Sequence, residues 1–104
     1  MPKFVKPLNF ELGMPDFEFL CPGCGCKHGV YTTPSKFNNT VWSFNGDVNK
    51  PTVVPSIKVT HSPHPTAQKL HICHSYIKDG MIQYLADCTH PLANQIISLP
   101  EISV

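Results

Sequence analysis

The sequence predicts a small, mainly β, single-domain fold: a zinc-stapled antiparallel structure with a zinc knuckle and a C-terminal β-hairpin. Three observations carry this expectation. Eleven prolines and six glycines in 104 residues leave no room for a long helix. About seven short runs alternate or carry β-branched and aromatic side chains between turn signals. Five cysteines, two of them in a Cys-x-x-Cys turn, are many for so short a chain.

The seven predicted strands are residues 17–20, 29–33, 40–45, 56–60, 70–78, 81–87 and 95–99. Between the fourth and fifth, residues 61–69 (His-Ser-Pro-His-Pro-Thr-Ala-Gln-Lys) read as an exposed loop, with His61, His64 and His71 as solvated histidines. Residues 1–14 read as an N-terminal arm that packs weakly, and the whole of 1–104 as one domain.

Composition narrows the function classes. A formal net charge of +1, with no Lys/Arg cluster, offers no field for nucleic acid, which makes nucleic acid an unlikely partner. No stretch approaches the ~20 apolar residues of a membrane span. The first residues lack the apolar run of a signal peptide, so the expectation is a cytoplasmic protein, where closely spaced cysteines are metal ligands or redox centres rather than disulfides.

Ile77-Lys78-Asp79-Gly80-Met81-Ile82 is the clearest local signal, because Asp-Gly supplies the positive φ that both central positions of a type I′ turn require. Pairing Lys78 with Met81 sets Ile77 against Ile82 and Ser75 against Tyr84. Extended further, the register sets Cys73 against Ala86 and His71 against Cys88. Cys73 and Cys88 would then share one face as diagonal neighbours, with His74 and Asp87 as diagonal neighbours on the other.

Cys21-Pro22-Gly23-Cys24-Gly25-Cys26 is a zinc knuckle, a turn that aims two thiolates at one point. With Cys73 and Cys88 supplying the other half, Cys21, Cys24, Cys73 and Cys88 are the expected ligands of a closed structural zinc site. A redox Cys-x-x-Cys opens a helix, which these glycines and prolines oppose. Cys26 is either a replacement for Cys24 or a spare apolar residue. His28, His74 and His90 each lie close to a cysteine and could be ligands, supporting donors or bases, and a set such as Cys21, Cys24, Cys73 and His90 stays open. No His-Glu-x-x-His pattern is present. The block from Trp42 to Gly46, followed by Pro51-Thr-Val-Val-Pro-Ser56, reads either as a core strand with a rigid edge loop or as a groove wall beside the metal.

The combination resembles a family of short, mostly phage- and prophage-encoded proteins of unknown function, some labelled ammonia monooxygenase. The resemblance rests on Cys21-Pro-Gly-Cys24 with His28, Trp42 to Gly46, Pro51-Thr-x-x-Pro-Ser56, Cys73-His74-Ser75, Asp79-Gly80, and Asp87-Cys88-Thr89-His90 through Leu92-Ala93-x-Gln95. It spans about residues 17–100 and departs at Asn94, where relatives carry Gly, and at Cys26. The resemblance implies a metal-binding domain whose relatives are encoded beside ubiquitin-like conjugation components in some bacteria. The expected function is accordingly a zinc-binding protein acting through a protein partner in phage–host interplay, within the host cytoplasm. The alternative is a small zinc-dependent hydrolase using His74, Asp87 and His90 as catalytic groups near the metal.

Overall fold

The computed structural model describes residues 1–7, 14–34, 41–61 and 71–102. Among these residues the chain forms seven strands and no helix. Two make a hairpin, β1 (Phe17–Cys21) and β2 (Cys26–Val30). The other five make an antiparallel sheet in the order β3 (Ser43–Phe44), β4 (Val53–His61), β5 (His71–Lys78), β6 (Met81–Tyr84) and β7 (Ile96–Ser98). The mainly β, antiparallel fold expected from the alternating runs is present. No helix among the described residues is long and apolar enough to cross a membrane.

The β1–β2 hairpin closes through the knuckle. Cys21 pairs with Cys26, the amide of Gly25 donates to the Cys21 carbonyl at 2.8 Å, and Gly25 takes a φ of 72°, which side chains other than glycine rarely adopt. The β5–β6 hairpin has the predicted turn, with φ of 52° at Asp79 and 77° at Gly80, and the predicted register Lys78↔Met81, Ile77↔Ile82 and Ser75↔Tyr84.

Period-two alternation divides the large sheet into two faces. On β5, Cys73, Ser75 and Ile77 are buried, whereas Tyr76 and Lys78 are exposed. The buried face packs with Phe19, Cys21 and Val30 of the small hairpin into one core, with Tyr84, Ile57, Ile82 and Leu99 among its members. The outer face of β4 and β5 carries Ser56 and His74, which share a hydrogen bond there.

The N-terminus departs from the expected arm. Phe4 is 1% exposed and stacks at 5.7 Å on Phe19, Val5 forms a bridge with Glu18, and the Ile102 amide donates to the Pro2 carbonyl. A phenylalanine removed from water contributes about 1.5–3 kcal/mol, and the backbone bonds of Lys3 and Phe4 to Val48, of Val5 with Glu18 and of Ile102 to Pro2 hold the segment along with it. Of the predicted exposed loop, residues 62–69 lie outside the described residues, as do residues 8–13 of the arm.

The register extrapolated beyond Tyr84 fails, for a local reason. The Leu85 amide still donates to His74, but the Cys88 amide folds back onto the Leu85 carbonyl at 3.2 Å, and Thr89 rejoins β5 at the Ile72 carbonyl. Ala86, Asp87 and Cys88 therefore form a turn where a straight strand was expected, so the register that would make Cys73 and Cys88 diagonal neighbours does not extend to Cys88.

Candidate functional site

Two constellations lie on opposite faces of β5. Cys73 points inward and His74 outward, as consecutive residues of a strand must.

On the buried side, Cys21, Cys24, His28 and Cys73 bring their donor atoms within 4.8 Å of one another, a cluster that could hold a metal ion. Each is placed by its strand. Cys21 ends β1, the knuckle turn carries Cys24 back over it, His28 lies one alternation beyond Cys26 on β2, and Cys73 comes from β5 with its sulfur 3.6 Å from that of Cys21. A tetrahedral ion with bonds of ~2.3 Å to sulfur separates its ligands by about 3.8 Å, so the cluster fits one ion after small adjustments. His28 is 7% exposed and its Nε2 has no hydrogen-bond partner, a buried polar atom of the kind a metal satisfies.

The electrostatics are those of thiols crowded together. A hydrogen bond from Cys73 drives the Cys21 thiol down to about 3 against the opposing effect of burial, with His28 and Tyr84 adding to the lowering. Burial and the negative charge of Cys21 push Cys24 up to about 12. Cys73 also rises, first through its hydrogen bond to Cys21 and then through burial. One thiolate thus holds its neighbours protonated, whereas a bound cation would let all three ionise.

Further groups support this cluster. The Tyr84 hydroxyl lies 3.2 Å from the Cys21 sulfur and accepts from the Gly23 amide at 3.0 Å. His71, expected to be solvated, has Nε2 3.1 Å from the Cys24 sulfur. His90 is 6% exposed, edge-on to Tyr84 at 4.5 Å, and its ring would lie 2.4 Å from a Cβ on Gly23. That contact explains the glycine in the knuckle.

Two expected site residues stand elsewhere. Cys88 is buried but is not one of the four clustered donors. Its thiol donates to the His74 carbonyl at 3.2 Å and its sulfur accepts from the His74 amide at 3.2 Å. His28 completes the cluster instead, because it shares the buried face of β2 with Val30. His90 is likewise not gathered with His74 and Asp87.

On the outer face, Ser56, His74 and Asp87 form a chain of hydrogen bonds. Ser56 Oγ lies 3.0 Å from His74 Nε2, and His74 Nδ1 lies 3.2 Å and 3.1 Å from the two carboxylate oxygens of Asp87. His74 projects from the regular part of β5, opposite Lys58, whereas Ser56 and Asp87 are each presented by an irregularity. Between the pairs Val53↔Ile77 and Ile57↔Ser75 of the β4–β5 ladder, Val54, Pro55 and Ser56 stand opposite the single residue Tyr76, a bulge that brings Ser56 over the neighbouring strand. The Trp42 indole donates to the Ser56 carbonyl at 3.4 Å. Asp87 reaches the imidazole from the turn that also withdraws Cys88. Desolvation raises the Asp87 carboxyl, but the hydrogen bond and charge of His74, with help from Lys58 at 3.7 Å, outweigh it and hold the group below its ordinary value.

A hydroxyl on one imidazole nitrogen and a carboxylate on the other is the arrangement of nucleophile, base and orienting group used in acyl transfer. The sequence singles out His74 and Asp87 as candidate catalytic groups, whereas Ser56 stands in it only as the last residue of the Pro51-Thr-x-x-Pro-Ser56 block. Its only signal was position, at the end of a proline-stiffened block that pairs with the Cys73-His74-Ser75 strand.

The family model described as "Bacterial ubiquitination-like system serine protease (BubE)" matches residues 11–85. That stretch contains Ser56, His74 and all four clustered donors, and Asp87 lies two residues beyond it. No curated protein and no solved structure matches the chain.

Proposed function

The chain belongs to the BubE family of bacterial ubiquitination-like system serine proteases, and on that premise we propose that it is a serine hydrolase that cleaves an acyl bond in a polypeptide, with Ser56 as nucleophile, His74 as general base and Asp87 as the group that orients His74. The observation that carries this reading is the continuous Ser56–His74–Asp87 hydrogen-bond chain on an open sheet face.

The reaction follows from the geometry. Ser56 Oγ attacks the scissile carbonyl carbon as His74 Nε2 takes the hydroxyl proton, and Asp87 steadies the imidazolium formed. The tetrahedral adduct collapses, breaking the bond to the leaving group, which receives the proton from His74 Nε2. Water then attacks the Ser56 ester with His74 again as base, releasing the acid and restoring the serine.

The metal is structural in this reading. Cys21, Cys24, His28 and Cys73 are a soft donor set that suits zinc, and four protein ligands leave no open position for substrate. The ion would tie the β1–β2 hairpin to β5, fixing the strand whose next residue is His74. None of the five cysteines is paired in a disulfide, and three of them as metal ligands fit a reducing, cytoplasmic setting. The protein partner is then the substrate polypeptide, and the resemblance to phage-borne proteins supports action on a host conjugation system.

The test is cleavage of the ubiquitin-like protein of such a bacterial system carrying a C-terminal extension. The wild-type protein should release the extension and Ser56→Ala should not. Equal cleavage by both would end the proposal.

A further inference from the structure

The outer face of the large sheet continues beyond the catalytic row. Tyr76 pairs with Gln83, and Gln83 with Ile96, so these residues form a row across β5, β6 and β7, with Val54 of the bulge beside Tyr76. Together with Met81 they line a groove of about 490 Å³ whose far end is the Lys78–Asp79 turn. It is apolar yet open: Val54 is 60% exposed, Ile96 59%, Tyr76 47% and Met81 36%. Large apolar side chains grouped on a surface mark a binding site, because leaving them in water costs free energy that a partner recovers.

The groove is joined to the catalytic row by strand geometry. Same-face neighbours on a strand are about 7 Å apart, so Tyr76 is one such step from His74, and Val54 precedes Ser56 by two residues. An extended peptide covers the same distance in two residues. Crossing from Tyr76 to Ile96 spans two strand spacings, about 10 Å, or three residues of extended chain.

We infer that this groove is the specificity site of the hydrolase and receives an apolar side chain of an extended polypeptide substrate, one or two residues from the scissile bond. The inference rests on the proposed Ser56 chemistry, and the experiment separates the two. Two peptidyl diphenyl phosphonates are used, with leucine or aspartate at the two positions beside phosphorus, alongside the small reagent diisopropyl fluorophosphate. In each case Ser56 Oγ bonds to phosphorus and expels phenol or fluoride, and the adduct is read by mass.

The wild-type protein should react with the leucine reagent about tenfold or more faster than with the aspartate reagent, the range set by apolar side-chain recognition. Ile96→Asp and Tyr76→Ala, both at exposed positions, should lose that preference while reacting with diisopropyl fluorophosphate at the wild-type rate. A wild-type protein without preference, or variants that retain it, would overturn the specificity site while leaving Ser56 as nucleophile. Failure of the small reagent to modify Ser56 would overturn both.

Discussion

The Ser56 hydroxyl lies 3.0 Å from Nε2 of His74 on the adjacent strand, and the other nitrogen of that ring is held by Asp87. The next residue back along the strand, Cys73, belongs to the cysteine cluster on the opposite face. One strand therefore presents the base on its outer side and a structural tie on its inner side, so that loss of either is separable by experiment.

Ser56→Ala should abolish hydrolysis, by roughly 10⁴- to 10⁶-fold in kcat, since removing the nucleophile of such a unit removes most of what the unit does. Stability should change by less than ~1 kcal/mol, because the lost hydrogen bond lies at a partly exposed position. Turnover and thermal unfolding of the same sample check both.

Asp87→Asn should retain the fold and lower kcat by roughly 10²- to 10⁴-fold, less than Ser56→Ala, as the ring loses its orienting charge. His74→Ala and Asp87→Ala should leave metal content unchanged, because both side chains lie on the face away from the cluster. Metal analysis of these variants checks the separation, and loss of metal from either would mean that the faces are misassigned.

Purified protein should hold about one zinc per chain. Cys21→Ser, Cys24→Ser, Cys73→Ser and His28→Ala should each lose it and several kcal/mol of stability, roughly the scale on which structural metal binding supports folding. Cys26→Ser should be nearly neutral. Cys88→Ser should keep the metal but alter turnover, since its sulfur touches the backbone of His74. Gly23→Ala should weaken metal retention by driving a Cβ into the His90 ring.

Acid stability should depend on Asp16, whose carboxylate accepts from the Thr32 and Thr33 amides at 2.7 Å and 3.0 Å. Burial raises this group, but those bonds outweigh it and hold it below the ordinary value of 3.8. A carboxyl depressed in the folded state stabilises above its unfolded value of about 4, and that contribution disappears as pH falls through the folded value. Denaturant midpoints measured from pH 5 downward should fall more steeply for wild type than for Asp16→Asn. Parallel curves would contradict this role.

The fold was legible where a local rule fixes geometry. Asp79-Gly80 dictated its turn and the register up to Tyr84, and the knuckle announced Cys21 and Cys24. Cys88 could not be placed because the turn at Ala86–Cys88 ends the ladder, and no proline or glycine within it signals the break. Ser56 was hidden for a related reason: alternation on β4 is interrupted by a bulge, and Pro55 favours reading the segment as an edge loop. The actual β3 is only Ser43–Phe44, with Trp42 half-buried outside it, so the aromatic run expected to form a full core strand serves partly to hold Ser56. His74 and Asp87 were expected to meet across a ribbon, and they meet because the same unforeseen turn delivers Asp87.

The most direct test of the account is the site and rate of modification by diisopropyl fluorophosphate, mapped by peptide mass. One adduct should form per chain, on Ser56, and it should be absent from Ser56→Ala. It should form at least roughly 100-fold more slowly in His74→Ala, the scale set by removal of a general base. An adduct on another residue, or a wild-type protein that stays unmodified while retaining its metal and fold, would contradict the assignment of Ser56 and His74 as nucleophile and base.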